Sequence, residues 1–522
     1  MRRGVILTSA AGGARAMRLT GGATAMLAGA AAPAGESSAT KSEVARSGGN
    51  VSVNLLPALA RRGWAGGLTL IAALALQAPR VSAAPGALDP SFGQGGMVAT
   101  FMSDHGSDRA HAIAADAGTS RVVVAGTATV DGWSWIAIAR YNADGTLDPT
   151  FGTGGRVLDR GPACLASEAY AVAVQADHKI VVAGHCSTMV PSEEFLIARY
   201  KADGSIDASF GTAGYVRTRF GPTTYDIAQA LALDPTTGKL VVAGYSQNQA
   251  VTIPNQDFAV ARYLSTGTLD TTFNYTGTAV TDLGAKKDDF ATGVALDGQQ
   301  VVVAGYSINP SNGSQDFAAV LYRSNGQLDP NYGTNGVARV DVSGGADDRA
   351  YAIARVPGTS KMILVGESFS GQTLLDFAMI RLTAGGKLDT AFNSTGKVIT
   401  AVSGGHDGAR GLAIQADKKI VVVGMAARNT SGTVDIAVRR YTSEGAIDTQ
   451  FGSSGGVVTS VGSSVDEGDA VAIRSDGGIL VAGRVAAACP ADCSAQECEA
   501  CFFGRAHCAL SDDFAVLSYL AQ

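Results

Sequence analysis

The segment NADGTLDPTFGTGG (142–155) brings acidic, hydroxyl and glycine residues together in a pattern that could bind a cation or a phosphate. A calcium loop would need oxygen ligands at alternating positions and an acid at the twelfth, whereas here Pro149 and Phe151 interrupt the series after Asp148. No GxGxxG opens a helix and no GK[ST] is present, so a phosphate-binding loop is not indicated. The pattern favours a structural turn whose aspartate side chain accepts backbone N–H groups.

The seven cysteines are the second candidate for chemistry. Cys164 lies just before a predicted strand, and Cys186 lies just after the strand that returns antiparallel to it. Both thiols therefore lie at the same end of a hairpin, and in an exported protein we predict a disulfide between them. The other five lie in one insertion near the C-terminus: Cys489, Cys493, Cys498, Cys501 and Cys508.

The spacing of these five cysteines, together with His507, is compatible with a zinc site. Outside the cytoplasm a small disulfide-linked loop is the favoured interpretation. Because five is an odd number, one thiol is free or pairs with another chain, and the connectivity stays open.

No catalytic constellation is visible in the sequence. The six histidines share no repeated position and lie in no HExxH or GxSxG motif. The sequence therefore predicts no catalytic residue, no cofactor-binding residue and no metal ligand, with calcium and zinc kept only as the lesser alternatives described above.

The opening segment belongs to a motif, called LDxxF here, that occurs seven times with successive copies 59 to 63 residues apart; two copies have isoleucine in place of leucine, and one has tyrosine in place of phenylalanine. A β-rich run that ends in glycine, such as VVVAG (122–126), and an acidic-aromatic-alanine run, such as DFAVARY (257–263), share this period. The aspartates of the LDxxF motif are Asp89, Asp148, Asp207, Asp270, Asp329, Asp389 and Asp448.

Two other acidic columns repeat with the same period. One lies at the entry to a unit's second strand, with Ser167 as the exception: Asp108, Asp226, Asp289, Asp348, Asp407 and Asp466. The other precedes the fourth strand, with Ser134 as the exception: Glu194, Asp257, Asp316, Asp376, Asp435 and Asp513.

A basic column opposes these two acidic columns in five units: Arg140, Arg199, Arg262, Arg381 and Arg440. A residue that recurs in every unit is more typical of a scaffold than of a unique catalytic group. We therefore predict hydrogen-bonded Arg–Asp pairs that tie neighbouring strands or blades together.

Each unit reads as four short strands without helical periodicity, for example at 155–159, 170–174, 179–184 and 195–200. Four strands per unit of about 60 residues, seven times over, predict an all-β fold, a seven-bladed β-propeller. The chain ends after a fourth-type strand, and residues 88–100 supply the next motif and strand. We expect the N- and C-terminal strands to share the last blade and close the ring.

The motifs DFAxARY, DGxLDxxFG and IVVAG resemble the delta-60 repeat, a bacterial β-propeller family. The resemblance covers roughly residues 86–522 and rests on all seven units. It implies a propeller fold and an exported bacterial protein, and it implies no activity.

The N-terminal region has the parts of a secretory signal: Arg61-Arg62, an apolar run at 64–76 and a small-residue site at 81–83. We predict an N-terminal extension and signal peptide over 1–83, cleaved near 83/84, followed by the propeller at 84–522 with a Cys-rich insertion at 488–510. A retained, uncleaved anchor is the alternative. The apolar run is short for a membrane span, so we expect no integral membrane segment in the mature chain.

The charge distribution bears on partners. Residues 1–83 hold nine of the 40 Lys and Arg residues and two of the 46 Asp and Glu residues, so residues 84–522 carry a net charge of −13. Such a body repels nucleic acid. We expect a monomeric scaffold, extracellular, on the cell surface or alternatively periplasmic, that binds an unknown protein or glycan. The alternatives are a hydrolase or lyase that uses the axial channel, and a structural envelope or matrix component.

Overall fold

The computed structural model describes residues 84–521, apart from residues 104–105, 190–191, 250–253, 285, 370–373, 429–432, 463–464 and 487–511. Every regular element in these ranges is a β-strand, as the repeat pattern predicts. No helix in the described part of the chain is long and apolar enough to cross a membrane. The predicted signal and the five cysteines of the insertion lie outside the described residues.

The strands form antiparallel sets of four, in which strands that follow one another in the chain are hydrogen-bonded neighbours, except that the first strand of the described chain completes the last set. One parallel bridge between Glu193 and Tyr225 joins the second and third sets into a sheet of eight strands. The first three sets are β2–β5 (Asp108–Ala115, Val122–Val130, Trp133–Tyr141, Arg156–Asp159), β6–β9 (Ala166–Val174, Ile180–Ser187, Glu193–Tyr200, Tyr215–Thr218) and β10–β13 (Thr224–Leu233, Leu240–Asn248, Gln256–Tyr263, Thr278–Thr281). The next three are β14–β17 (Asp289–Asp297, Gln300–Ile308, Gln315–Tyr322, Val337–Val340), β18–β21 (Asp348–Arg355, Met362–Phe369, Leu375–Leu382, Lys397–Thr400) and β22–β25 (Asp407–Ile414, Ile420–Arg428, Thr433–Tyr441, Gly456–Thr459). The remaining set consists of β26–β28 (Asp466–Ile473, Ile479–Ala486, Asp512–Tyr519) and β1 (Met97–Thr100).

The first and last strands of the described chain pair with each other. β1 lies antiparallel to β28, with Val98 opposite Val516. Upstream of β1, the Gly86 N–H donates to the Leu520 carbonyl and the Asp89 N–H donates to the Ser518 carbonyl, each at 2.8 Å. The two ends of the described chain therefore meet in one four-stranded sheet.

The middle two strands of each set are buried on both faces. In β3 the residues Val122–Ala125 and in β4 the residues Ile136–Ala139 are almost completely excluded from solvent. A strand covered on both faces reads as a continuous apolar run, which explains the recurring VVVAG and IAIARY segments. Each core cluster draws side chains from two sets, so the hydrophobic core lies between stacked sheets.

The predicted disulfide between Cys164 and Cys186 is confirmed, with Sγ atoms 2.01 Å apart and Cα atoms 5.4 Å apart. Cys186 lies in β7, which pairs antiparallel with β6, and Cys164 immediately precedes β6. The hairpin brings the two thiols to one end, as the sequence pattern indicates.

Candidate functional site

The aspartates of the LDxxF motifs act first as turn formers. Asp148 Oδ1 accepts the Thr150 N–H at 3.0 Å and the Thr150 hydroxyl at 2.7 Å. Asp207 makes the same two bonds with Ser209. Although burial alone would raise the pKa of Asp207, these bonds and the charge of Arg199 lower it to about 2. The carboxylates are thereby used in the turn rather than offered to a calcium ion.

The arginine column completes the turn. Arg262 Nε donates to Asp270 Oδ2 at 2.8 Å, and Arg262 Nη1 donates to the Ser324 carbonyl of the following unit at 2.7 Å. The guanidinium also lies 4.7 Å from the centroid of the Phe273 ring. The same Nε–carboxylate bond joins the other four pairs: Arg140–Asp148, Arg199–Asp207, Arg381–Asp389 and Arg440–Asp448.

The partners of these arginines differ from those that the column pattern suggests. The arginines pair with the LDxxF aspartates, and not with the two acidic columns that they were expected to oppose. The reason is local: the Asp270 N–H bonds the Arg262 carbonyl at 2.8 Å, so the turn folds back against the end of the arginine's own strand. In the two units that lack the arginine, Arg323 reaches Asp329 and Arg474 reaches Asp89.

The acidic column at the start of the first strand of each set is buried and holds the loop before it. Asp108 Oδ2 accepts the Met102 N–H at 2.7 Å, and Asp289 Oδ2 accepts the Leu283 N–H at 2.7 Å. Both residues have no exposed surface. These aspartates therefore connect each set of strands to the outer strand that precedes it.

The charge of Asp108 acts on Asp513 of the last set. Burial, then the charges of Asp108 and Asp512, raise the pKa of Asp513 to about 7. Because the folded pKa lies above the unfolded value, folded Asp513 binds its proton more tightly. The stability that this proton provides is complete below about pH 4 and is lost as the pH rises through about 7.

We expect Asp513→Asn to raise the free energy of unfolding at pH 8 by about 2 kcal/mol, after a discount for solvent screening, and to change it little at pH 4. Urea denaturation at the two pH values measures the difference. Asp177→Asn is the control, because the Asp177 side chain is 55% exposed. A gain of the same size at both pH values would contradict the assignment.

One position in the first strand of each set holds a different residue type in most sets, unlike the repeated aspartates and arginines. The first strand of every set has a register shift that places one extra residue between two small residues, for example between Ala110 and Ala112 in β2 and between Ala409 and Gly411 in β22. The extra residues differ from set to set: His111, Tyr170, Gln229, Thr292, Tyr351, Arg410 and Asp469.

Near each extra residue lies a cross-strand pair that also varies. The pairs are Arg109–Thr127, Glu168–His185, Ile227–Tyr245, Phe290–Tyr306, Arg349–Glu367, Gly408–Met425 and Glu467–Arg484. We call the extra residues and these pairs the bulge cluster. It brings non-repeating arginines, acids and aromatic residues to a single structural position.

One side of the bulge cluster is an ionic network between the first and last sets. Arg109 donates from Nε to Asp469 at 2.9 Å and from Nη2 to Glu467 at 2.7 Å. Arg484 reaches Glu467 at 3.1 Å. The Asp469 side chain is 9% exposed and that of Arg109 is 34% exposed, so the network is open to solvent mainly through its arginines.

Glu367 organises a second network between β19, β18 and β22. Its carboxylate accepts from Arg349 Nη1 at 3.1 Å, from Arg410 Nη1 at 3.0 Å and from the Tyr351 hydroxyl at 2.9 Å. The Arg410 guanidinium lies 4.2 Å from the centroid of the Tyr351 ring. This arrangement fixes two arginines that keep part of their surface exposed.

Aromatic rings form the rest of the cluster. Ring centroids are 5.0 Å apart for His111–Tyr170 and 5.8 Å apart for Tyr170–His185. They are 5.1 Å apart for Tyr245–Phe290, 5.0 Å for Phe290–Tyr306 and 6.2 Å for Tyr306–Tyr351. The rings thus extend from one set to the next, in chain order.

Burial perturbs the ionisable groups of the cluster. It lowers the pKa of His111 to about 3, aided by the charge of Arg109, so this imidazole is neutral at pH 7. Burial also raises the pKa of Asp469. For Glu467, burial is outweighed by the hydrogen bond from Arg484 and the charge of Arg109, and its pKa is lowered.

Motif reasoning missed the bulge cluster because its residues form no motif. The sequence does contain a signal for these positions: in strands that otherwise repeat, one position varies from unit to unit and is flanked by alanine or glycine. The LDxxF aspartates and the arginine column, which the sequence assigns to the scaffold, form turn and ion-pair contacts, and none of them belongs to the cluster.

Repeated four-stranded antiparallel sheets and their apolar middle strands define a β-propeller type of all-β protein. A family model described as a domain of unknown function (DUF5122) beta-propeller matches six stretches: residues 120–151, 175–210, 236–273, 300–332, 360–392 and 415–451. Each stretch ends on the aromatic residue of an LDxxF motif. Comparison with the curated proteins finds no match.

The chain is also similar to solved structures at low sequence identity. The polysaccharide lyase Uly1 is 12% identical, with 81% of this chain and 91% of that chain covered and a TM-score of 0.41. The PL25 ulvan lyase bound to -[GlcA(1-4)Rha3S]- is 9% identical, with 74% and 93% covered and a TM-score of 0.40. The PQQ-bound aldose sugar dehydrogenase from Streptomyces coelicolor is 14% identical, with 65% and 99% covered and a TM-score of 0.33. These likenesses carry no functional argument.

Proposed function

We propose that the sets of four strands are the blades of a seven-bladed propeller whose ring is closed by β1 and β28. The pairing of β1 with β28 supports closure. So does a core cluster that combines Val124 of β3 with Leu480 of β27 and Val516 of β28, which joins the first set to the last. A contact of the bulge cluster also supports closure, because Arg109 of β2 bonds Asp469 of β26 and so joins the first set to the last.

In such a ring the first strand of each blade faces the axis. The bulge cluster would then line one region of the axial channel, with the arginines and rings of all blades directed to a common space. A one-off cluster at the axis is what distinguishes a ligand site from a purely structural ring. This single observation, the convergence of non-repeating residues at a repeating position, carries the functional proposal.

The protein is proposed to be an exported binding scaffold, and the ligand of the bulge cluster to be a glycan. Ring faces such as those of Tyr245 and Tyr306 suit the apolar faces of sugars, and fixed guanidinium and carboxylate groups suit their hydroxyls. The four arginines of the cluster are matched by four acids, Glu168, Glu367, Glu467 and Asp469, which favours a neutral ligand over a polyanion. The Cys164–Cys186 disulfide supports an oxidising, extracellular or cell-surface location.

The test is a screen of the purified full chain against a panel of neutral and acidic oligosaccharides, followed by calorimetric titration with those that bind. We expect Tyr306→Ala and Arg349→Ala each to weaken binding about tenfold, equivalent to about 1.4 kcal/mol of lost contact. Tyr275→Ala is the matched control, since this tyrosine is 83% exposed and lies outside the cluster. Unchanged binding by both cluster variants would show that the glycan does not bind at the bulge cluster.

An enzymatic role is the second candidate, and it is favoured by two carboxyl groups of the bulge cluster, Asp469 and Glu467, that are both bonded to Arg109. Hydrolysis of glycosidic bonds generally uses a pair of carboxyl groups, one as the general acid and the other as the base or nucleophile. Incubation of a bound oligosaccharide with the wild type and with Asp469→Asn distinguishes the two roles. Products released only by the wild type indicate a hydrolase, and an intact ligand in both indicates a binding protein.

A further inference from the structure

Two groups of three carboxylates lie where neighbouring sets of strands meet. One oxygen from each of Asp257, Asp282 and Asp289 lies within 4.8 Å of the others, and the same holds for Asp316, Asp341 and Asp348. Calcium–oxygen distances are about 2.3–2.6 Å, so two oxygens that bind one ion lie no more than about 5 Å apart, and the oxygens of each group are within this limit. The geometry therefore has the size of one cation in each group.

The deepest member of each group has an oxygen without a partner. Asp289 is completely buried, its Oδ2 accepts the Leu283 N–H, and its Oδ1 has no hydrogen-bond partner. Asp348 repeats this arrangement, with Oδ2 held by the Val342 N–H and Oδ1 without a partner. An unpaired carboxylate oxygen that is fully buried is costly unless a proton or a cation satisfies it.

Among the described residues, neither group has a side-chain ion pair, although Lys397 Nζ donates to the backbone carbonyl of Asp341 in the second group. Within the described residues, no lysine or arginine forms an ion pair within 4.0 Å of any of these six carboxylates. Arg339 comes near the first group but donates to the Ser307 hydroxyl and the Leu283 carbonyl.

The contact between the second and third sets of strands has an arginine where the two three-carboxylate groups have their exposed or half-buried aspartate. After the outer strand of each set, Asp282 in TD (281–282) and Asp341 in VD (340–341) occupy the place that Arg219 has in TR (218–219). Arg219 Nε donates there to Glu194, the equivalent of Asp257. Where this position is arginine, the protein supplies the positive charge itself, and where it is aspartate, the negative charge increases.

We propose that each three-carboxylate group binds one calcium ion, which replaces the missing arginine and joins adjacent sets of strands. Calcium is the cation chosen because all the ligands are hard carboxylate oxygens on strands and loops of irregular geometry, which calcium accepts more readily than magnesium. Neither group shares a residue with the bulge cluster, so the proposal stands apart from the glycan site.

The experiment is a calorimetric titration of the full chain, freed of metal by chelation, with calcium chloride. We expect two ions per chain in the wild type, one in Asp282→Asn, one in Asp341→Asn and none in the double variant. Asp282 is exposed, so its replacement does not disturb the core. Asp417→Asn is the control, because the Asp417 side chain is 56% exposed and belongs to neither group.

Thermal unfolding gives an independent readout. At a free calcium concentration of about 100 times Kd, each occupied site shifts the unfolding equilibrium by about 100-fold toward the folded protein. The midpoint should therefore rise with calcium in the wild type and in Asp417→Asn, and stay constant in the double variant. No calcium binding by the wild type, or two ions still bound by the double variant, would overturn the proposal.

Discussion

Gly305→Ala is expected to abolish folding, or to lower the free energy of unfolding by more than about 4 kcal/mol. An ideal Cβ atom at this position would lie 1.8 Å from the Phe290 carbonyl oxygen and 2.9 Å from its carbon. Both are backbone atoms, so no side-chain rotation relieves the clash. β15, which carries Gly305, has a strand on each side, β14 and β16, and neither can move away without breaking the sheet.

The measurement is a urea denaturation curve of purified protein, with circular dichroism to establish that a β-sheet fold is present. Gly385→Ala is the matched control, because nothing lies within 4 Å of its ideal Cβ and its φ is not positive. We expect this control to change stability by less than about 0.5 kcal/mol. A folded Gly305→Ala protein with wild-type stability would show that the close approach is not required.

The close approach at Gly305 explains why the β-rich run always ends in glycine. In every set the ideal Cβ of this glycine would lie 1.8–2.0 Å from a carbonyl oxygen at the register shift: Gly126, Gly184, Gly244, Gly305, Gly366, Gly424 and Gly483. The carbonyl belongs to the residue that forms the cross-strand pair of the bulge cluster. The same backbone distortion thus creates the need for glycine and displays the variable residues.

Arg262→Leu is expected to lower the free energy of unfolding by about 3–5 kcal/mol. Both partners of the ion pair are buried, with the Arg262 side chain 5% exposed and the Asp270 side chain 3% exposed. Leucine would remove the bond to the Ser324 carbonyl of the next unit as well. It would also leave Asp270 with Lys239 as its remaining cation, 2.8 Å away.

Chemical denaturation of Arg262→Leu beside Arg323→Leu tests this expectation. Arg323 pairs with Asp329, but its side chain is 46% exposed, so its loss should cost less than about 1 kcal/mol. Adding Asp270→Asn to Arg262→Leu should recover part of the loss, because the carboxylate that has lost its buried arginine partner is then removed. Equal effects of the two arginine variants would refute a special role for the buried pair.

The strand pattern and the LDxxF turns were predictable because local chemistry dictates them. Apolar runs such as Val122–Ala125 must be covered on both faces, and Asp148 bonds the N–H of a residue two positions further on. The Cys164–Cys186 disulfide followed from the same local reasoning, since a hairpin brings its two ends together. The partner of the arginine column was not predictable, because it depends on how the turn folds back on the strand.

By itself the sequence determined the repeat, its four strands, its turns and the disulfide, since each depends on residues that are close in the chain or related by one period. Only the tertiary structure decided which carboxylates meet, as for Asp257 with Asp289, and which side chains surround Glu367. Those contacts join strands of different sets. The register shifts at Arg410 and Asp469 arise in turn from the pairing of one strand with its neighbour. The residues that do not repeat from unit to unit are therefore far apart in the sequence and close together in the fold.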